Sequence, residues 1–308
     1  MRKTIFTLLL ISAIGFISCR KSSVSPGIEE VDKSTILSYI SAHNLTGMVR
    51  DTVGGDTSGI YYKIILPGAA GKTYQYTDSI SFVFSLSSFD GAYTSTDTTY
   101  NHFVGYVGHI NSGGLPYGLQ LVIHDVLKKG GSMRILIPSH LAYGVSGYGT
   151  GSKSNTNSRI AGNECLDYYI HSINNQPAYD DVVIQSFMAA NGYTGYQKTA
   201  SGLWYKIKVP GIGTHPITIN TTVTSTYTGD LLNAYIFDQY NTADGSGTAR
   251  DYDNFLPGVQ EGLQKFATVG TSLSLLLPSR LGYGAAGTTG VPGNSILHYE
   301  YIVTSVTP

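Results

Sequence analysis

The chain has 308 residues, long enough for two ordinary domains. Its formal net charge is −1 and only 13% of its residues are charged, so it lacks the basic face of a nucleic-acid binder. Hydrophobic residues make up 42%, enough to bury cores, while 24 Tyr and 37 Gly lean the composition toward strands joined by loops.

Arg2 and Lys3 form a basic start, residues 5–17 form an apolar run, and Ser18-Cys19 closes it. The run is too short to span a bilayer comfortably. A Cys directly after a small residue at the end of such a run resembles a bacterial lipoprotein signal, although Phe16 stands where such signals usually carry Leu. That resemblance implies a signal peptide over residues 1–19, acylation of Cys19 as the new N-terminus, and a tether over 20–32. It also implies an exported lipoprotein held to a membrane, in the outer membrane or periplasm of a Gram-negative bacterium. Removing Arg2 and Lys3 leaves 17 basic against 20 acidic residues, or −3. Cys165 is the only other cysteine, so lipid on Cys19 leaves it without a disulfide partner; a Cys19–Cys165 bridge is the rival.

The chain then repeats itself. TSGIYYKI at 57–64 matches ASGLWYKI at 200–207, and IPSHLAYG at 137–144 matches LPSRLGYG at 277–284. Residues 36–44 match 183–191. A period of about 140 residues means tandem domains rather than a solenoid. The expected units are 33–175 and 180–308, with Pro177 as a breaker between them. Each opens on an amphipathic helix, Ile36, Leu37 and Ile40 in one and Val183, Ile184 and Phe187 in the other. Strands are predicted at 59–66 and 202–209, and at 79–86 and 221–228. A second helix follows: Leu119, Val122, Ile123, Val126 and Leu127 form its apolar stripe in the first unit, and Val259, Leu263, Phe266 and Ala267 in the second. A strand ending in Pro-Ser, a Gly-rich loop and final strands at 166–173 and 297–306 complete each unit. Antiparallel strands around one central helix make an α+β fold.

The second unit carries VTSTYTG at 223–229, Phe237-Asp238, LPGVQEGL at 256–263, LPSRLGYG at 277–284 and VPGNSIL at 291–297 leading to Tyr299. In this order the motifs resemble the FKBP family of peptidyl-prolyl cis-trans isomerases. The resemblance implies two tandem FKBP-like domains, each an antiparallel sheet wrapped around a short helix. It also implies a proline-binding cleft in the second. Tyr227, Phe237, Asp238 and Tyr283 match its catalytic positions, and Phe255, Leu256, Val259, Val291 and Tyr299 its substrate-binding ones. Val259 departs from the pattern, since the family often has Trp there as the cleft floor. In the first unit Phe84 stands for Tyr227, Thr94-Ser95 for Phe237-Asp238 and Leu119 for the floor, while Tyr143, Ile160 and Tyr168 are kept or similar.

The implied partners are unfolded or proline-containing polypeptides, and no cofactor is needed. A non-catalytic peptide-binding or chaperone module on the same fold is the alternative. His-Glu-x-x-His, Cys-x-x-Cys and Gly-x-Ser-x-Gly are all absent, so no metal site or serine nucleophile is indicated. The Gly-rich stretch at 147–154 has Ser152 where a phosphate loop needs Gly before Lys153. Asp180-Asp181 reads as the start of a helix.

Overall fold

The computed structural model describes residues 26–53, 58–150, 157–242 and 244–308. The signal-like segment and Cys19 lie outside the described residues. Among the described residues, no helix is long and apolar enough to cross a membrane.

The expected architecture is present, with two antiparallel sheets that each pack on one short helix. The first unit runs α1 (Ile28–Ala42), β1 (Val49–Arg50), β2 (Tyr61–Leu66), β3 (Ser79–Ser88), β4 (Thr94–Ser95), β5 (His102–Tyr106), α2 (Tyr117–Asp125), β6 (Ser132–Ile137) and β7 (Leu166–Ile173). Its strand order is β1-β2-β6-β7-β3, and β4 and β5 share the far edge of β3. The second unit runs α3 (Gln176–Ala190), β8 (Gln197–Lys198), β9 (Trp204–Val209), β10 (Thr222–Leu231), β11 (Ile236–Tyr240), β12 (Thr248–Asp251), α4 (Pro257–Phe266), β13 (Ser272–Leu277) and β14 (Leu297–Thr307). Its order, β8-β9-β13-β14-β10 with β11 and β12 on the far edge of β10, is the same.

Period-two burial makes these sheets one-sided. Along β10, Val223, Ser225, Tyr227, Gly229 and Leu231 are buried, while Thr224, Thr228 and Asp230 are only half-buried. The predicted stripe of α2 closes the first core, with Leu119, Val122, Ile123 and Leu127 packed among Phe82, Ile135 and Ile170. In the second core α4 places Val259 and Leu263 among Leu273, Leu275 and Tyr301. Glycine brings α4 close to the sheet: a Cβ on Gly258 would lie 2.6 Å from the Leu277 side chain.

The lead-in helices extend further than the sequence suggested. α1 starts at Ile28, inside the expected tether, because Asp32 is buried and bonded to the body of the unit. Ser139 Oγ donates to Asp32 Oδ1 at 2.7 Å, and the His140 ring meets Asp32 Oδ2 at 2.7 Å. α3 starts at Gln176, ahead of the expected boundary. Asn175 caps it by accepting from the Ala178 N–H at 3.1 Å. Pro177 sits in the first turn, where a missing N–H leaves no bond unmade, so it starts the helix rather than breaking the chain. Only Asn174 and Asn175 separate β7 from α3. Across the seam Asn233 Nδ2 donates to Asp97 Oδ2 at 2.6 Å, and Tyr235 meets Tyr100 edge-on.

The outer face of the second sheet holds a buried charge cluster. His298 on β14 lies 3.0 Å from Asp230 and 3.3 Å from Glu300. Burial alone would depress its pKa, but hydrogen bonds to Asp230 and Glu300 outweigh burial and lift it to about 9. The folded value exceeds the unfolded one of about 6.5. The resulting stability is therefore full below pH ~6.5 and is lost as pH rises through about 9. Equilibrium unfolding should show a decline of roughly 3 kcal/mol across that window, and His298→Gln should flatten it. A slope unchanged in that variant would assign the decline elsewhere.

Candidate active site

Eight of the nine site residues expected from the sequence belong to the second core cluster, and the ninth, Asp238, is bonded to it through Tyr227. Tyr227 on β10 and Tyr299 on β14 face the same side, because Gly229 pairs with Tyr299 and Tyr227 with Tyr301 across the strands. The Tyr227 and Tyr301 rings stack at 5.2 Å, and Tyr299 and Tyr301 at 5.5 Å. Phe237 on β11 meets Tyr299 edge-on at 5.7 Å and Tyr283 at 6.1 Å. Phe255 closes the other end, edge to Tyr301 at 6.2 Å. Stacked and edge-on contacts suit the ring quadrupoles.

Burial sorts the nine into a floor and a rim. Tyr227, Phe255, Val259, Val291 and Tyr299 are each at most 5% exposed. Phe237, Asp238, Leu256 and Tyr283 are half-buried and form the accessible rim. Val259, in the floor position, is buried in the same core cluster as Tyr227, Phe255, Tyr299 and Tyr301. A groove of about 640 Å³ lies elsewhere, at the junction of the units, lined by Leu66, Lys129, His171, Tyr179 and Val182 among others. No cleft residue lines it, and it lacks the aromatic wall and ionic network of the cleft.

One polar network crosses the cleft. The Tyr227 hydroxyl donates to Asp238 Oδ1 at 3.1 Å and accepts from Arg250 Nη2 at 2.9 Å. The Arg250 guanidinium also lies over the Tyr227 and Phe255 rings, 5.4 and 5.5 Å from their centroids. Burial pushes the Tyr227 pKa up, with Arg250 pulling it down and Asp238 raising it again. Burial likewise raises Tyr299, aided by its neighbours Tyr301 and Tyr283. Both stay neutral hydroxyls at physiological pH. Removing the Tyr227 hydroxyl alone leaves Asp238 and Arg250 in place. Tyr227→Phe is therefore expected to cost about 1–2 kcal/mol in denaturant unfolding, and a change below 0.3 kcal/mol would place the network's weight elsewhere.

Sequence reasoning missed Arg250. The available signal was its isolation: it is the only Lys or Arg between Lys208 and Lys265. Its position on β12, opposite Val223, sends it along the strand toward Tyr227.

The first unit has the same framework without the network. Phe84 pairs with Ile170 as Tyr227 pairs with Tyr301, so Phe84 takes the Tyr227 place. Leu86 pairs with Ser95 as Gly229 pairs with Asp238, so Ser95 takes the acid's place. Thr94 pairs with Ser87 where Asp230 pairs with Ile236, so the register, shifted at a bulge, does not set Thr94 in the place of Phe237 as the sequence suggested. Ile80 pairs with Gly105 as Val223 pairs with Arg250, so glycine replaces the arginine. All three members of that network are gone together; Ser95 bonds instead to the buried Asn101 at 3.0 Å, and phenylalanine rings fill the space nearby. Phe103 covers Gly105, and Phe82 stacks on Phe103 at 5.2 Å. Tyr143 remains, stacked on Tyr148 at 4.6 Å, with its pKa pushed up to about 12 mainly by burial.

Residues 213–303 match the family model of FKBP-type peptidyl-prolyl cis-trans isomerases. The chain is similar to the FKBP-type peptidyl-prolyl cis-trans isomerase FkpA of Escherichia coli (strain K12). Identity is 32% over 114 residues, covering 37% of this chain and 41% of that protein. It is also similar to the peptidyl-prolyl cis-trans isomerase FKBP10 of Mus musculus, at 24% identity over 77% of this chain and 36% of the relative. The crystal structure of FkpA from Escherichia coli superposes with a TM-score of 0.38 and 28% identity, over 43% of this chain and 61% of that one. The chain thus spans about two fifths of the length of the curated relatives it matches first.

Proposed function

We propose that the chain is an FKBP-type peptidyl-prolyl cis-trans isomerase whose working cleft lies in the second unit and acts on X-Pro bonds of exported polypeptides. The observation that carries this reading is the Tyr227–Asp238–Arg250 network set beside an aromatic wall, inside the 213–303 family match.

The chemistry asks for no nucleophile, metal or cofactor. Rotation about an X-Pro amide crosses a barrier of about 18–20 kcal/mol, because the C–N bond must lose its resonance. The planar amide has the larger dipole and is the form that water stabilises more. Phe237, Tyr283 and Tyr299 offer a proline ring apolar faces and little water, which favours the twisted amide relative to the planar one. We assign the Tyr283 hydroxyl, which lies beside that of Tyr299, the role of donor to a substrate carbonyl. Asp238 supplies a fixed negative end, held by Tyr227, toward which the rotating carbonyl carbon turns.

Full-length protein should accelerate cis-trans exchange of X-Pro peptides in proportion to its concentration, measured by NMR exchange or a protease-coupled assay. A rate equal to the uncatalysed one on every peptide would defeat this reading. The alternative, a peptide-binding or chaperone module without catalysis, draws support from Val259, which stands where the family often has Trp. It predicts suppressed aggregation of unfolded clients with no acceleration.

Export by a lipid anchor at Cys19 is part of the same proposal, supported by the basic start, the apolar run and the Ser18-Cys19 pair. Cells expressing the chain should incorporate labelled palmitate into it, and Cys19→Ser should abolish the label. Equal labelling of both would remove the anchor from the account.

A further inference from the structure

One buried carboxylate stands outside the cleft and serves it. Asp180, on α3, is 1% exposed. Its Oδ2 accepts two hydrogen bonds from Ser279, from the N–H at 2.9 Å and from Oγ at 2.7 Å. Its Oδ1 accepts from Gln176 Nε2 at 2.7 Å. Burial raises its pKa, opposed by these bonds from Ser279 and Gln176. An acid at a buried helix–turn contact is a poor choice for packing alone, since a well-packed apolar side chain is often as stabilising there or more so. A carboxylate can do what an apolar group cannot, which is to hold a backbone N–H and a hydroxyl in one fixed geometry.

The held segment matters. Ser279 opens the short turn Ser279–Leu281 that follows β13, and Tyr283 lies four residues after Ser279. The turn is held from a second side as well, because Arg280 donates to the Ser201 carbonyl in the β8–β9 connection. Tyr283 then projects to the rim, where its ring meets Phe237 and its hydroxyl meets Tyr299. The first unit repeats the staple. Asp32 on α1 holds Ser139 and His140, and Tyr143 follows, but without the ionic network.

We propose that Asp180 is a positioning residue for the isomerase cleft: by holding the Ser279 turn from α3 it sets the Tyr283 side of the rim. The catalytic unit therefore begins at Gln176, well ahead of residue 213 where the family match starts. This inference rests on the isomerase reading of the cleft.

The test uses the full chain with 3-fluorotyrosine at position 283, followed by fluorine NMR alongside kcat/KM on an X-Pro peptide. Asp180→Asn keeps an oxygen that accepts from Ser279, and should hold the resonance and keep the rate within about twofold. Asp180→Ala should shift or broaden the resonance and lower kcat/KM about tenfold, as a small misplacement of a site group does. Asp32→Ala removes the matching staple from the first unit and should change neither reading. If Asp180→Ala does not fold, Ser279→Ala removes one of the two donors and should move the same resonance. An unchanged spectrum and rate in a folded Asp180→Ala, or in Ser279→Ala, overturns the proposal, as do equal effects from Asp32→Ala. If the wild type accelerates no peptide, the isomerase reading fails, while the fluorine spectra still decide whether Asp180 positions Tyr283.

Discussion

Gly229→Leu is expected to abolish isomerase activity and to destabilise the second unit by about 3 kcal/mol, the upper part of the range for overpacked cores. The reason is space. Any Cβ at position 229 would lie 2.5 Å from Tyr299 Cε1 and 3.1 Å from the tip of the Phe237 ring. Glycine here is what lets two cleft aromatics meet over the strand. In the first unit Leu86 occupies the glycine position, and Tyr93 packs against that core beside Tyr143. A double variant, Gly229→Leu with Phe237→Thr, removes the Phe237 contact and should recover part of the lost stability without recovering activity. Denaturant unfolding and a peptide exchange assay read the two effects separately. A Gly229→Leu protein with wild-type stability and rate would show that the cleft does not depend on this contact.

The second large effect concerns the polar network. Asp238→Ala is expected to lower kcat/KM by about tenfold or more, equivalent to about 1.4 kcal/mol of lost transition-state stabilisation. It removes the acceptor of the Tyr227 hydroxyl and the carboxylate nearest the Arg250–Tyr227 pair. Because Tyr227, Asp238 and Arg250 share one set of bonds, their substitutions should not add. A double-mutant cycle on Tyr227→Phe and Asp238→Ala should give a coupling of about 0.5–3 kcal/mol in stability. The first unit is consistent with such coupling, since it lacks all three groups: Phe84, Ser95 and Gly105 stand in their places. Losing one member alone would leave a half-buried polar group without its partner, whereas losing all three lets phenylalanines fill the space. Additive effects in the cycle would mean three separate roles rather than one network.

Much of this was legible in the sequence because repeated motifs report on each other. Two units with offset matches gave the architecture, and alternation along 223–231, broken only by the buried Thr226, gave the buried face of β10. The ordered motifs named nine residues, of which eight belong to the second core cluster and Asp238 bonds to one of them. What stayed hidden depends on register. Arg250 is 23 residues from Tyr227 in the chain, and only the pairing of β12 with β10 brings them together. The meaning of Gly229 depends on what lies across from it, which a linear motif does not contain. Asp180 sits close to Pro177, and so reads as an acid at a helix start. In the structure it lies inside the helix on its buried face, bonded to a residue 99 positions away. Helix periodicity showed that α3 has an apolar face, but not that this face also carries a staple.

The most direct test compares matched substitutions in the two units of the full chain. Tyr283→Ala and Tyr143→Ala remove equivalent rim tyrosines, one beside the Tyr227–Asp238–Arg250 network and one in a unit without it. With both variants shown to be folded, the peptide exchange rate should fall by about tenfold or more in Tyr283→Ala and stay at the wild-type value in Tyr143→Ala. Equal loss in both variants, or a rate that survives Tyr283→Ala intact, would contradict a single working cleft in the second unit.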